Sequence, residues 1–124
     1  MGKMAMVMVG GCLGAVCRYG VGLLSVRLAG AGFPWGTLAV NLAGCFLIGL
    51  VFGLAERVLW LTPAFRLFIV TGFLGAFTTF SSFAVETVNA ANGCSLRLAV
   101  FNVLLNNVGG ILLVLLGMRA AQAV

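Results

Sequence analysis

Four apolar runs, each long enough to cross a bilayer and joined by only a few residues, leave this chain of 124 residues little freedom of fold. They cover roughly 4–28, 35–55, 65–89 and 96–118, and about 20 apolar residues suffice for one helical crossing. The joints are turn-like: 29–34 holds glycines and Pro34, 56–64 holds two charges and Pro63, and 90–95 holds Asn92-Gly93. Hydrophobic residues make up 63% of the chain and charged ones 7%, a balance that a water-exposed surface would not tolerate. The expectation is an all-α membrane protein, a single transmembrane domain over 1–124 with four helices.

Targeting signals do not fit. Lys3 precedes an apolar run as in a secretory leader, but Arg18 interrupts that run and the chain stays apolar to its end. Leu42-Ala43-Gly44-Cys45 resembles a lipoprotein cleavage box, yet cleavage there would discard the first helix. Cys12, Cys17, Cys45 and Cys94 have no histidine companions, so buried free thiols are the expectation and zinc is not. With the amino terminus inside, Lys3, Arg57, Arg66 and Arg119 flank the inner ends, against Arg27 and Arg97 outside, and Glu56 offsets part of the inner charge. So small a bias is a weak vote under the positive-inside rule and is compatible with insertion both ways.

The third run contains the chain's most unusual stretch, Gly72-Phe-Leu-Gly-Ala-Phe-Thr-Thr-Phe-Ser-Ser-Phe83, with two glycines and four hydroxyls at mid-span. Backbone leaves the helical ladder at that depth only where protein or a polar path satisfies it. A break is therefore expected over Gly75–Thr79. In an antiparallel pair the two-fold axis lies in the membrane plane, and only a mid-membrane residue meets its own copy there. Gly72 and Gly75 would permit close approach, as would Gly10-xxx-Gly14 and Gly49-xxx-Gly53 elsewhere. Two broken helices meeting in this way would converge carbonyl oxygens suited to a hard cation. The alternative is that the hydroxyls bond back to the preceding turn and the helix merely bends.

Arg18, Asn41, Glu86, Asn102, Asn106 and Asn107 are each costly in lipid and should face the bundle interior. Asn102, Asn106 and Gly110 recur every four residues, as do Ser82 and Glu86, so each set shares one helical face. A hydrophilic path along two helices is one reading, and asparagine glue between helices is the other. Phe80 and Phe83, three apart, are interleaved with hydroxyls where packing residues alone would be ordinary.

At this point the chain resembles the Fluc (CrcB) family of fluoride channels along its whole length. Gly10-Gly-Cys-Leu-Gly-Ala-Val-Cys-Arg-Tyr19 is similar to that family's helix-1 pattern, Gly36-Thr-Leu-Ala-Val-Asn-Leu-Ala-Gly44 to its helix-2 pattern, and the 72–83 stretch to its broken helix 3. The resemblance implies a multi-pass protein of the bacterial inner membrane that lowers cytoplasmic fluoride. It also implies an antiparallel, dual-topology homodimer with two fluoride pores and one structural Na⁺. By that resemblance, Gly75 and Thr78 give backbone carbonyls to Na⁺, while Phe80 and Phe83 form an aromatic box with Asn41 as amide donor. Arg18 matches an arginine near the pore mouth. Thr79, Ser81, Ser82 and Glu86 match the polar remainder of helix 3, and Asn102 and Asn106 the polar face of helix 4. Ser82 stands where the family often has threonine, and Ala84 and Val114 are apolar where some members carry hydroxyls.

Two other classes compete. A small multidrug-type antiporter has the same size and helix count, but it needs an acid in helix 1, where this chain has Arg18. A non-transporting assembly subunit would explain the glycines and leave the hydroxyl-rich break without a reason. Enzymatic chemistry is disfavoured, since the chain lacks histidine and aspartate and its two glutamates lie 30 residues apart. Nothing in the sequence points to nucleic acid.

Overall fold

The computed structural model describes residues 2–55, 58, 61–93 and 95–123; Glu56, Arg57 and Cys94 lie outside them. Helix α1 (Gly2–Ala29) and helix α2 (Trp35–Leu54) form the first two spans. Gly30, at φ +76°, closes α1, its N–H returning to the Val26 carbonyl at 3.0 Å; the left-handed conformation is one that glycine adopts without strain.

The third span, Pro63–Gly93, has four parts: α3 (Pro63–Arg66), a π-helical stretch (Leu67–Leu74), α4 (Gly75–Phe77) and α5 (Phe80–Gly93). Thr62 starts it, accepting the Phe65 N–H at 3.2 Å ahead of Pro63, which has no amide hydrogen to leave unpaired. The fourth span, Leu96–Gln122, comprises α6 (Leu96–Leu104), a shorter π-helical stretch (Leu105–Gly109) and α7 (Gly110–Gln122). Ser95 caps it by accepting the Leu98 N–H at 3.3 Å. The third span runs to Gly93, into the joint expected at 90–95, because Ala90 and Ala91 favour helix. All four are long and apolar enough to cross a membrane, and among the described residues there is no strand. The chain is a multi-pass membrane protein.

Two seams hold the bundle, α1 against the 67–74 π stretch and α2 against α7. Both are glycine-lined. A Cβ on Gly10 or Gly14 would collide with the Phe68 or Phe73 carbonyl, and one on Gly49 or Gly117 with the Val114 or Phe46 carbonyl. The small-residue pairs of the sequence therefore serve contacts within the chain, where backbones approach closely enough for dispersion to act over their whole length. Gly72 belongs to the first seam, where an added Cβ would stand only 3.0 Å from the Gly10 Cα. Of the two glycines expected at a contact between copies, only Gly75 is left exposed, its added Cβ meeting nothing nearer than the Val70 carbonyl at 3.6 Å. Val40, Leu74 and Phe77 form the buried core, packed by Val21, Ile48, Ile69 and Phe73, directly beneath the interruption of the third span. Cys12 and Cys17 are exposed at the chain's outer surface and Cys45 is half-buried, so the thiols are free but less buried than expected: α1 turns that side away from its seam.

Candidate functional site

The third span is interrupted at its midpoint, and the interruption is narrower than 75–79. Gly75 keeps helical angles (φ −61°, ψ −33°), whereas Thr78 is extended (φ −86°, ψ 159°) and the helix resumes at Phe80. In a continuous helix the Thr79 N–H would return to the Gly75 carbonyl. Here it goes to Asn41 Oδ1 on α2 at 2.8 Å, while Asn41 Nδ2 donates to the Thr79 carbonyl at 3.3 Å. One side-chain amide thus pairs with both polar groups of the broken residue, which lipid could not do. Thr79 then caps α5, its Oγ1 accepting the Ser82 N–H at 3.2 Å and donating to Ser82 Oγ at 3.0 Å. Thr78 does bond back, Oγ1 to the Leu74 carbonyl at 3.0 Å, so the back-bonding alternative is realised at one residue alongside a true break. Its methyl group fills the notch left by Gly44 on α2.

From Asn41 a relay of amides crosses the bundle. Asn41 Nδ2 donates to Asn106 Oδ1 (2.9 Å), Asn106 Nδ2 to Asn102 Oδ1 (2.9 Å), Asn102 Nδ2 to Thr87 Oγ1 (2.8 Å), and Thr87 Oγ1 to the Phe83 carbonyl (2.7 Å). Asn102 is fully buried, and full satisfaction is what makes such a network tolerable in an apolar interior. Asn107 is outside the relay, exposed and donating to the Val103 carbonyl four residues back, although it lines the same cavity as Asn41 and Asn106.

The remaining polar residues face the other way. Thr37 Oγ1 donates to Glu86 Oε1 at 2.7 Å, and Glu86 Oε2 is buried without a partner among the described residues. Arg18 Nη1 reaches the Thr78 carbonyl at 3.5 Å, which puts the guanidinium beside the interruption. The single stripe expected along two helices is therefore two sets. Asn41, Asn102, Asn106 and Thr87 lie on one side of the break, and Arg18, Thr37, Ser82 and Glu86 on the other. The two share Thr79, whose side chain is buried.

Each set has its own cavity. The first, of about 330 Å³, is lined by Asn41, Asn106, Gly75, Thr78, Thr79, Phe80 and Phe83 among others, and among the described residues no charged side chain lines it. The second, of about 390 Å³, holds Arg18, Thr37, Thr79 and Ser82, and through Gly22, Gly36 and Thr37 it adjoins a third that reaches Glu86 and Asn89. Phe80 and Phe83 tilt against each other with ring centroids 5.5 Å apart. Phe83 is buried, but Phe80 shows 77% of its surface, so the wall bearing it lies open. Ser81 is exposed next to it, 3.4 Å from Thr79 Oγ1.

Thr37 and Thr87 join the site without having stood out in the sequence. Each had a signal, since Thr37 stands four residues before Asn41 and Thr87 four after Phe83, on the same helical faces.

Comparison with known proteins gives a family. The family described as CrcB-like protein, Camphor Resistance (CrcB), matches residues 5–118. A protein named fluoride-specific ion channel FluC from Agrobacterium fabrum is 49% identical over 120 residues, covering 97% of this chain and 96% of that one. Proteins of the same name from Acidobacterium capsulatum (47% identical, 94% and 93% covered) and Nitrosococcus oceani (40%, 98% and 98%) are similar over nearly their full lengths. Similarity of that extent leaves one conclusion: the chain belongs to the CrcB family.

Proposed function

We propose that the protein is a fluoride-selective channel of the bacterial inner membrane that lets fluoride leave the cytoplasm passively. The observation that carries this reading is the Phe80–Phe83 pair sharing one uncharged cavity with amide and hydroxyl groups. Fluoride is small and tightly hydrated, so a pore must replace its water with concentrated donors. Aromatic rings are positive at the edge and negative on the face, and the ion would lie at ring edges. Both hydrogens of Asn41 Nδ2 are engaged, at 2.9 and 3.3 Å, and the longer contact, to the Thr79 carbonyl, is the one an arriving anion would take over. A cationic side chain at the Phe80–Phe83 pair would hold the ion too tightly for conduction, and Arg18 stands in the neighbouring cavity, where it raises local anion concentration without trapping. Liposomes carrying the purified protein should release fluoride, read by electrode, and retain chloride. Phe80→Ile and Phe83→Ile keep bulk and remove the ring edge; undiminished fluoride efflux in both would sink the account.

The reading includes a second copy. Outward-facing Phe80 and the exposed Gly75 face support an antiparallel homodimer with dual topology, in which a partner completes the wall and two pores result. The donor set at the break also suits Na⁺: Asn41 takes the Thr79 N–H that would otherwise occupy the Gly75 carbonyl, and Thr78 is outside the ladder. The Gly75 and Thr78 carbonyls of two copies would hold the ion, which would offset the mutual repulsion of four oxygens and remain in place while fluoride passes. The Arg18 contact to Thr78, at the long limit of a hydrogen bond, would yield to it. A C-terminal reporter should appear on both membrane faces. Dimer stability and fluoride flux should both fall after exhaustive Na⁺ removal, and a stable, fully active dimer free of any cation refutes the site.

A further inference from the structure

A cleft of about 490 Å³ lies at the opposite end of the bundle from Glu86, remote from the break, and its lining is of an unusual kind. Lys3 of α1 and Arg66 at the head of the third span stand at its rim, with Phe52, Leu67 and Pro63 as apolar walls and Thr71 further in. Arg66 holds its guanidinium over the Phe52 ring, 5.9 Å from the centroid, an arrangement that orients the charge without neutralising it. Glu86 is the only acidic side chain among the described residues, and it is bonded to Thr37 in the other half of the molecule. Thr71 is exposed and makes no hydrogen bond to the described residues, although its hydroxyl sits five residues, or about 7 Å, deeper than Arg66 along the helix. An unpartnered hydroxyl at lipid depth is costly unless something else supplies the partner.

We propose that this cleft binds the headgroup of an anionic phospholipid. Lys3 and Arg66 take the phosphate, the Thr71 hydroxyl donates to an ester oxygen at the next depth, and Phe52 and Leu67 lie along the upper acyl chain. The graded order of cations, hydroxyl and apolar surface matches a lipid entering from the membrane interface, where basic side chains and aromatic rings ordinarily anchor. A second copy of the chain is a poor occupant: an antiparallel partner would bring to this depth only Glu86, whose carboxylate is already engaged by Thr37, to set against two cations.

The test is native mass spectrometry of the purified full-length chain with phosphatidylglycerol or phosphatidylcholine of identical acyl chains. The protein should retain phosphatidylglycerol preferentially. The double variant Lys3→Gln/Arg66→Gln should weaken that preference about 30-fold, or about fivefold per charge. Arg27→Gln/Arg97→Gln, which removes two cations from the other end, should leave it unchanged, and Arg66→Lys should retain most of it. In wild-type protein, which needs no variant to fold, a photoactivatable phosphatidylglycerol should label the 63–71 segment. An undiminished preference in the Lys3/Arg66 variant, an equal loss in the Arg27/Arg97 variant, or labelling confined to other segments overturns the proposal. So does displacement of the lipid by millimolar inorganic phosphate, which would make the site one for the free ion.

Discussion

The third and fourth spans carry the same irregularity in their first halves, a π-helical stretch, and only the third goes on to break. In the fourth, Leu105–Gly109 merely widens and α7 follows in continuous helical angles, Gly109 at φ −60° and Gly110 at φ −60°. In the third, the widened turn leads through three helical residues to an extended Thr78. The difference lies in what faces each turn. Opposite the third span stands Asn41, which offers a complete amide to the Thr79 backbone. Asn41 reaches the 105–109 turn as well, but only at the Asn106 side chain; the backbone of that turn lies against Leu42 and Cys45 at Gly109 and Gly110, which offer no such exchange. A broken helix in lipid thus depends on a partner on another helix. The fourth span takes the complementary part, sending its asparagine side chains toward the break that the third span opens.

The sharpest way to break this contrast is Asn41→Leu. It strands the Thr79 N–H, the Thr79 carbonyl and Asn106 Oδ1, at about 1–3 kcal/mol for each buried group left unpaired. Thermal unfolding in detergent should show the largest loss of the set and fluoride efflux should vanish; Asn41→Asp, which keeps an acceptor for Thr79, should retain part of both. Unaltered melting in the leucine variant would mean that the break holds without its clamp.

Gly75→Val should come next, with a split result. Its Cβ has room within the chain, so the fold of one copy should be nearly unaffected while fluoride flux and dimer yield collapse. Gly117→Val is the opposite case, since backbone of α2 blocks the added group; overpacking should cost about 1–3 kcal/mol or more of fold stability. If both variants lost helix content alike, the distinction between a sealed seam and an open face would fail. The smallest effect is expected for Thr87→Val, which removes the hydroxyl between Asn102 and the Phe83 carbonyl while keeping shape. A loss of about 1–3 kcal/mol with partial flux is expected, because the relay ends there and only the Asn102 Nδ2 donor is stranded, its Oδ1 keeping the contact to Asn106.

The spans were legible because the length of an apolar run is itself the physical requirement for crossing a bilayer. The neighbourhood of the break was legible too, since glycines and hydroxyls in the middle of such a run have few other uses. Its exact residue was not. Thr79 leaves the ladder because of an amide 38 positions away, and no local pattern around Thr79 contains that information. The π-helical stretches left no trace in composition. Four-residue spacing put Asn102 with Asn106 correctly, yet it could not reveal that Ser82 and Glu86 turn toward Arg18 and Thr37 instead. Spacing reports a face of a helix, and which neighbour that face meets is settled by the glycine seams.

The interruption at Thr78–Thr79 has one more consequence, electrostatic in kind. It places the end of one helical segment and the start of another at the same depth, near the centre of the span. The first amides of α5 have no carbonyl behind them, and the partial positive charge at a helix start amounts to roughly half an elementary charge. The preceding segment presents the matching negative end within a residue or two. With no ionised side chain of the described residues lining this cavity, the backbone therefore still offers two opposite fields side by side. Because both fields belong to the backbone, they persist at every pH and need no counter-charge to be carried into the membrane.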